Sequence, residues 1–348
     1  MIVSLSLKQF RSFDVGSFEF EPGVNIVVGP NASGKTNLLE ALLIVAQGSS
    51  YRDRDIELIH SGSPWARINA LTEDNITRIV KLERENKNIK SFSIDGNKYL
   101  RLPFSKRIPV VVFEPNQLHF ITSSPELRRL LIDSLLEQLE PEFGTIKRAY
   151  LRALAQRNSL LKTHNPQQKL FAWNIRLSEY ATKVVEYRKE IIKTLNDQIK
   201  TTYSELAGKD QVPTLKYQSK LDISNYAQSM LKNLETRVAI DIERGFTTIG
   251  PHRDDIEMFI DDQSVFTTAS RGEIRTLLLA IKLTEADLLS QKHDQKTLML
   301  LDDVFGELDE RRRKALTEHL KKHQAVITTT DADIVVSNYA RHSNPIVL

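Results

Sequence analysis

Hydrophobic and polar positions divide the chain into stretches of period two and stretches of helical period, and their order predicts an α/β protein with an inserted helical part. Residues 2 to 7 alternate in strand fashion, 9 to 13 break the alternation, and 17 to 21 resume it before the turn at Pro22-Gly23. Val24, Ile26, Val27 and Val28 read as a buried strand, and residues 37 to 46 as a helix with no breaker before Gly48. From 66 to 99 short strands with turns at 73–75 and 95–97 predict an antiparallel β subdomain. The apolar run from 108 to 113 is the sign of a strand covered on both faces, with Pro109 near its start, where a missing N–H is tolerated. From 125 to 206 the period becomes helical, with Leu127, Leu130, Leu131, Leu135 and Leu136 on one face. A short strand at 213–221 and a helix at 225–244 follow, then an apolar helix at 276–283, a buried strand at 298–301, a helix starting at 310 and a strand at 325–327.

Chemistry concentrates at the ends of these elements. Gly29, Pro30, Asn31, Ala32, Ser33, Gly34, Lys35 and Thr36 fit G-x-x-x-x-G-K-[ST] at every fixed position, between a predicted strand and a predicted helix. That order lets loop N–H groups and a helix N-terminus converge on phosphates, with Lys35 on the β- and γ-phosphates and the Thr36 hydroxyl on Mg²⁺. A chance glycine-rich turn would not need the flanking strand and helix. Arg11, one hairpin away, could reach the nucleotide, and a solvated edge-strand arginine explains it almost as well. Gln117 follows the buried strand at 108–113 as a candidate for the Mg²⁺ shell, with ordinary loop polarity as the alternative. The strand at 298–301 ends in Asp302 and Asp303, where an apolar strand has no structural use for two acids. Asp302 would hold Mg²⁺ and Asp303 would orient an attacking water.

Ser270 and Glu273 have capping-box spacing before the helix at 276–283, a complete structural explanation. Anion binding would use the same orphan N–H groups, so both readings stand. Residues 144 to 176 contain no Asp or Glu and seven basic residues, among them Arg148, Arg152 and Arg157. Arg148 and Arg152 share a helix face suited to a phosphate backbone, although charge runs are usually solvated faces. His252, Arg253, Asp254 and Asp255 after Gly250-Pro251 look like poor core material, and with no second His or Cys at ligand spacing the metal reading is weak.

Composition narrows the partners. Charged residues are 27% of 348, yet the formal net charge is only +3, so any surface for nucleic acid must be local. The lack of cysteine removes disulfides, thiolate metal sites and Cys nucleophiles, and accords with a reducing compartment. The early charge at Lys8 does not fit a signal-peptide core, and no apolar run approaches about 18 residues, so a soluble cytoplasmic protein without a membrane partner is expected.

Taken together, KQFR at 8–11, GPNASGKTN at 29–37, ASRGEIRT at 269–276, LMLLDDVFGELD at 298–309 and ITTT at 327–330 resemble the ABC ATPase heads of the SMC class. The chain has no room for their long coiled coil, and residues 50–59, YLRALAQRNSLLK at 150–162 and GPHRDD at 250–255 are similar to the RecF family of bacterial recombination mediators. The resemblance implies an ABC/SMC-type head with an antiparallel β subdomain and an inserted helical domain. The head would comprise 1–118 and 244–348, and the helical insertion 119–243. It also implies an ATP-dependent homodimer with weak DNA-stimulated ATPase that binds double-stranded and gapped DNA. Such a dimer works with RecR and RecO to load RecA in repair, recombination, replication and the SOS response. Residues 29–37, Asn37 included, and Arg11 would then lie on ATP, Ser270 and Gly272 would act across the dimer as an ABC-type signature, and Thr36 and Asp302 would hold Mg²⁺. Asp303 would be the hydrolytic acid, with Gln117 beside it. Arg271 and Glu273 stand where Gln is common, Gly306 where Ser is usual, and the threonines at 328–330 where many ABC proteins carry a switch histidine. A transporter-type ABC subunit, or a nucleotide-gated scaffold for which DNA is incidental, are the alternatives.

Overall fold

The computed structural model describes residues 1–50, 55–84, 88–114, 117–163, 167–330 and 343–348. Part of the family-like stretch at 50–59, and Pro115, Asn116 and Asp331, lie outside the described residues. Two compact units divide the chain, Met1–Gln117 with Lys282–Leu348, and Leu118–Ile281.

The first unit opens with β1 (Ile2–Phe10) and β2 (Phe13–Glu19), then β3 (Val24–Val28) and α1 (Lys35–Gln47). A meander of β4 (Trp65–Thr72), β5 (Thr77–Arg84), β6 (Asn88–Ile94) and β7 (Asn97–Tyr99) precedes β8 (Val110–Phe113). The second unit holds α2 (Leu118–Thr122), α3 (Pro125–Leu139), α4 (Pro141–Leu161), α5 (Gln167–Ala207), β9 (Pro213–Gln218), α6 (Tyr226–Thr236) and α7 (Val238–Arg244). It continues with β10 (Asp255–Ile260), β11 (Gln263–Ser264), α8 (Val265–Thr268) and the first half of α9 (Arg271–His293). The rest of α9, β12 (Leu298–Leu301), α10 (Glu310–Leu320), β13 (Gln324–Thr329) and β14 (Ser343–Val347) belong to the first unit.

Two sheets build the first unit, an antiparallel one in the order β2-β1-β4-β5-β6-β7 and a parallel one in the order β14-β3-β13-β12-β8. The broken alternation at 9–13 is the tip of the β1–β2 hairpin, where Gln9 and Arg11 both take φ 53°. Helix α1 contacts β4 and β5 of one sheet and β8, β12 and β13 of the other, so Leu38, Leu39 and every residue from Ala41 to Ala46 are buried. A helix apolar all round needs such enclosure, and each large side chain of α1 contributes roughly 2 kcal/mol by burial. Arg78, buried on β5, donates to Val45 O at 3.0 Å in the last turn of α1, a cation at the helix end where carbonyls lack partners. Burial lowers its pKa to about 10.

In the second unit α3, α4 and α5 pack together beside the antiparallel sheet β11-β10-β9. This unit runs past residue 244, where the sequence reading starts the second part of the head. Asp255–Ile260 pairs with Pro213–Gln218, and Arg128 of α3 forks onto Asp255 at 2.8 and 2.6 Å, so residues up to Ile281 fold with the helices. Within the segment at 252–255 Arg253 is exposed, but Asp254 is core, against expectation, and His252 and Asp255 are half-buried. Asp254 is 4% exposed and accepts from Tyr217, Ser219 and Tyr226, three hydroxyls that offset its desolvation. His252 Nε2 lies 3.1 Å from Thr247 O, a carbonyl that can only accept, so Nδ1 accepts from the Tyr150 hydroxyl and the ring is neutral. Among the described residues no group of three or more acids, His or Cys is placed to hold a metal ion, and no helix is long and apolar enough to cross a membrane.

Arg157 corrects a second expectation. It is fully buried on α4, ion-paired with Asp241 at 2.8 Å and bonded to Asn174, Thr247 and Leu234 O, so it cannot meet DNA. Replacing it by Ala leaves Asp241 buried without its cation and should destabilise the fold by about 3–5 kcal/mol in urea unfolding. A second measurement concerns pH. Burial lowers the His252 pKa to about 4, against about 6.5 for an unfolded histidine. Between those values the unfolded chain binds the extra proton, so stability is full above about 6.5 and is lost as pH falls towards 4, by roughly 3 kcal/mol. Unfolding curves at neutral pH and near pH 4 should show this slope, and His252→Gln should flatten it.

Candidate nucleotide site

The carboxyl ends of β3, β13, β12 and β8 lie side by side, because Val28 pairs with Thr329, and Leu301 with both Ile327 and Phe113. Parallel sheets bind ligands at such an edge. Onto it converge the loop after β3, Thr328, and Asp302 with Asp303 after β12.

Gly34 is the N-cap of α1 at φ 102° and has no side chain to satisfy the first turn of N–H groups, which leaves them for an anion. A Cβ there would stand 2.8 Å from Phe13 Cζ and 2.8 Å from Ser12 Oγ, so the β1–β2 hairpin tip rests on the loop and only glycine fits. A Cβ on Gly29 would strike Ser33 Oγ at 2.6 Å. Ser33 Oγ is itself buried without a hydrogen-bond partner. Lys35 is 8% exposed, and its ammonium donates to Gly29 O and Pro30 O at 2.7 Å each, curled back over the loop. Asn37 donates to Ser12 Oγ at 2.9 Å. Pro30, Asn31 and Ala32 are exposed, and Ala32 takes φ 66°. An open row of N–H groups, an orphaned hydroxyl and a cation within its own loop fit a polyphosphate.

Thr36 Oγ1 donates to Asp302 Oδ2 at 2.8 Å, joining the loop to the end of β12 as a shared magnesium ion requires. Thr328 Oγ1 donates to Asp302 Oδ1 at 2.5 Å and accepts from Asp303 N–H at 3.0 Å. Asp303 is exposed and takes φ 47°, a conformation of about 1 kcal/mol or more in cost for a residue with a side chain. Strain of this kind marks a carboxylate whose aim is fixed by its surroundings. Gln117, four residues after β8, is 7% exposed and its Oε1 is buried without a partner.

Other expected residues stand differently. Arg11 sits at the hairpin tip, but its guanidinium forks onto Glu40 of α1 at 2.8 and 3.0 Å and donates to Glu57 O. Here it fixes α1 instead of offering a free cation. Ser270, with Gly272, belongs to the second unit, where Ser270 N–H and Oγ donate to Glu273 and Glu273 N–H returns to Ser270 Oγ, a closed capping box on an exposed helix start. Arg148 and Arg152 are exposed on α4 as expected, while Lys147 is tied to Asp133 and Glu137. Sequence reasoning missed Glu40, hidden among helix residues, and the bridging role of Thr328, whose only signal was a hydroxyl at the tip of an apolar strand.

This fold and this site define an ATPase head of the SMC class. Residues 1–341 match the family described as RecF/RecN/SMC N terminal domain. The chain is 34% identical over 348 residues to the DNA replication and repair protein RecF of Halalkalibacterium halodurans, covering 95% of this chain and 93% of that one. To RecF of Acetivibrio thermocellus it is 31% identical over 346 residues, covering 94% and 92%. A solved recombination mediator protein RecF with ATP, from the RecFOR pathway, superposes with a TM-score of 0.84 at 25% identity over 95% of this chain and 92% of that one. An Smc head bound to the C-winged helix domain of ScpA shares the fold at TM-score 0.56 and 16% identity, over 96% of this chain and 91% of that one. The chain belongs to the RecF family.

Gly34→Ala should lower stability by about 1–3 kcal/mol, through the positive φ and the clash with the hairpin tip. Ser33→Ala removes a hydroxyl without a partner and should change stability by less than about 0.5 kcal/mol. Chemical denaturation of both variants checks the pair.

Proposed function

We propose that the chain is an ATP-dependent DNA-binding recombination mediator in which two copies enclose ATP between them. The observation that carries this reading is the hydrogen-bonded chain Thr36–Asp302–Thr328–Asp303, which links the phosphate loop to the strand that bears the acids. Magnesium, held by Thr36 and Asp302, would neutralise charge developing on the transferred phosphoryl group. Lys35 would turn from the loop carbonyls to the phosphates, and the loop and first-turn N–H groups of Gly34 to Asn37 would cradle them, with Gly29 to Ser33 shaping the loop around them. Asp303, with Gln117 beside it, would orient the attacking water. Arg11 would act through Glu40, holding α1 in register with the loop. Ser270 and Gly272 would present the exposed helix start to the nucleotide of the second copy, so that neither copy alone has a finished site.

Closure would align Arg148 and Arg152 of both copies on the backbone of duplex DNA, read by charge and shape, since no base-reading motif is present. The relatives' printed names give DNA replication and repair and a recombination mediator of the RecFOR pathway as the setting. Within it the chain would act on gapped DNA with RecR and RecO as partners, in the cytoplasm, with RecA loading and the SOS response as the outcome. Slow hydrolysis would reopen the dimer.

Lys35→Ala should lose ATP, dimer and DNA affinity together, whereas Asp303→Asn should bind ATP and accumulate dimers. Gel filtration at saturating ATP distinguishes them, and equal monomer content in Asp303→Asn and wild type would count against the reading. Arg148→Ala with Arg152→Ala should weaken duplex binding and reduce the dependence of log affinity on log salt by about 2 per protomer. An unchanged salt slope would remove these residues from the surface.

A further inference from the structure

The outward face of the antiparallel sheet carries an arrangement that stability alone does not favour. Lys8 of β1 pairs directly with Arg67 of β4, and Arg67 pairs directly with Lys81 of β5, which puts three cations in one row across adjacent strands. Like charges directly opposite one another are destabilising. None of the three forms an ion pair with a described residue, and Arg67 is steadied only by donating from Nε to Asn69 Oδ1 at 2.7 Å. With strands about 4.8 Å apart the row spans roughly 10 Å of sheet. Its ends are open, because Lys8 faces Val15, 70% exposed, and Lys81 faces Ser91.

One strand position away Trp65, two residues before Arg67 and so on the same face, is 39% exposed. A shallow cavity of about 360 Å³ is lined by Lys8, Trp65, Arg67 and Lys81, with Glu83 as its one acid, opposite Trp65. A cationic track beside an open indole is the combination that takes single-stranded nucleic acid: phosphates meet the charges, and an unpaired base stacks on the ring. A duplex hides its base faces within the stack and could use only the charges.

We propose that this sheet face binds a single strand of nucleic acid, its phosphates on Lys8, Arg67 and Lys81 and a base stacked on Trp65. The inference rests on the reading of the chain as a DNA-binding mediator and assigns the unpaired part of a gapped substrate to a surface separate from α4.

The chain has two tryptophans, so Trp173→Phe leaves Trp65 as the only reporter. Titrating that protein with oligo(dT), which cannot pair with itself, should quench Trp65 emission, with a slope of log affinity on log salt of about −2 for three contacts on a single strand. Lys81→Glu and, separately, Arg67→Glu should each weaken oligo(dT) binding by about tenfold or more without lowering the melting temperature, because each turns like-charge pairs into opposite-charge pairs. No quenching, or affinity unchanged in both variants, overturns the proposal. Equal quenching by poly-glutamate also overturns it, since the face would then suit an acidic protein segment. ATP-dependent duplex binding by the same proteins reads the mediator function separately: if it persists while oligo(dT) has no effect, only the sheet face fails, and if it is absent while oligo(dT) still quenches, only the closure mechanism fails.

Discussion

Enclosure of α1 between the two sheets is the constraint on which the rest of the head depends. Its apolar residues are covered on all sides, Arg78 closes its last turn from β5, and Arg11 holds Glu40 nearer its start. A helix gripped in this way cannot tilt or slide without opening a core worth many kcal/mol. The phosphate loop is the entrance to that helix. The hairpin tip seated on Gly34 therefore fixes the loop from one side while β3, hydrogen-bonded to β13, fixes it from the other. Rigidity where phosphates bind follows from core packing, with no separate device.

Thr328 ties that rigid loop to the acids. One hydroxyl serves as donor to the Asp302 carboxylate and acceptor from the Asp303 backbone N–H, so a change at that carboxylate or in the backbone of Asp303 is felt at the tip of β13. A histidine at the strand end is thus not needed to link this edge to the next strand. Asp303 is exposed and held at positive φ. The basic face of α4 and the charged sheet row belong to different units.

Much of this was legible in the chain, for physical reasons that also mark the limits. The glycine loop, the buried strands and the acids after Leu301 are local signals, each set by a backbone shape or a short apolar run, and all were read correctly as elements. The capping box at Ser270 is local in the same sense, and its hydrogen bonds formed as the spacing implies. What failed was long-range. Arg157 reads as one more cation in an acid-free stretch, and its partner Asp241 lies 84 residues further on. Asp254 and His252 look exposed by composition, yet hydroxyls from distant elements enclose them. The pairing of β10 with β9 likewise cannot be seen in either strand alone. The edge strand β14, short and carrying Pro345, gave no period to find.

Shared active centres are the central claim, and a subunit-mixing experiment tests it most directly. Lys35→Ala removes the loop cation, and Ser270→Arg blocks the helix start, so either variant alone should be inactive. A heterodimer of the two holds one intact centre, built from the loop of the Ser270→Arg copy and the Ser270 of the Lys35→Ala copy. An equal mixture should recover ATP turnover that neither variant shows alone, because only the mixed pair encloses a nucleotide between an intact loop and an intact Ser270. A mixture as inactive as its components would mean that each copy builds its centre alone, and would contradict the account.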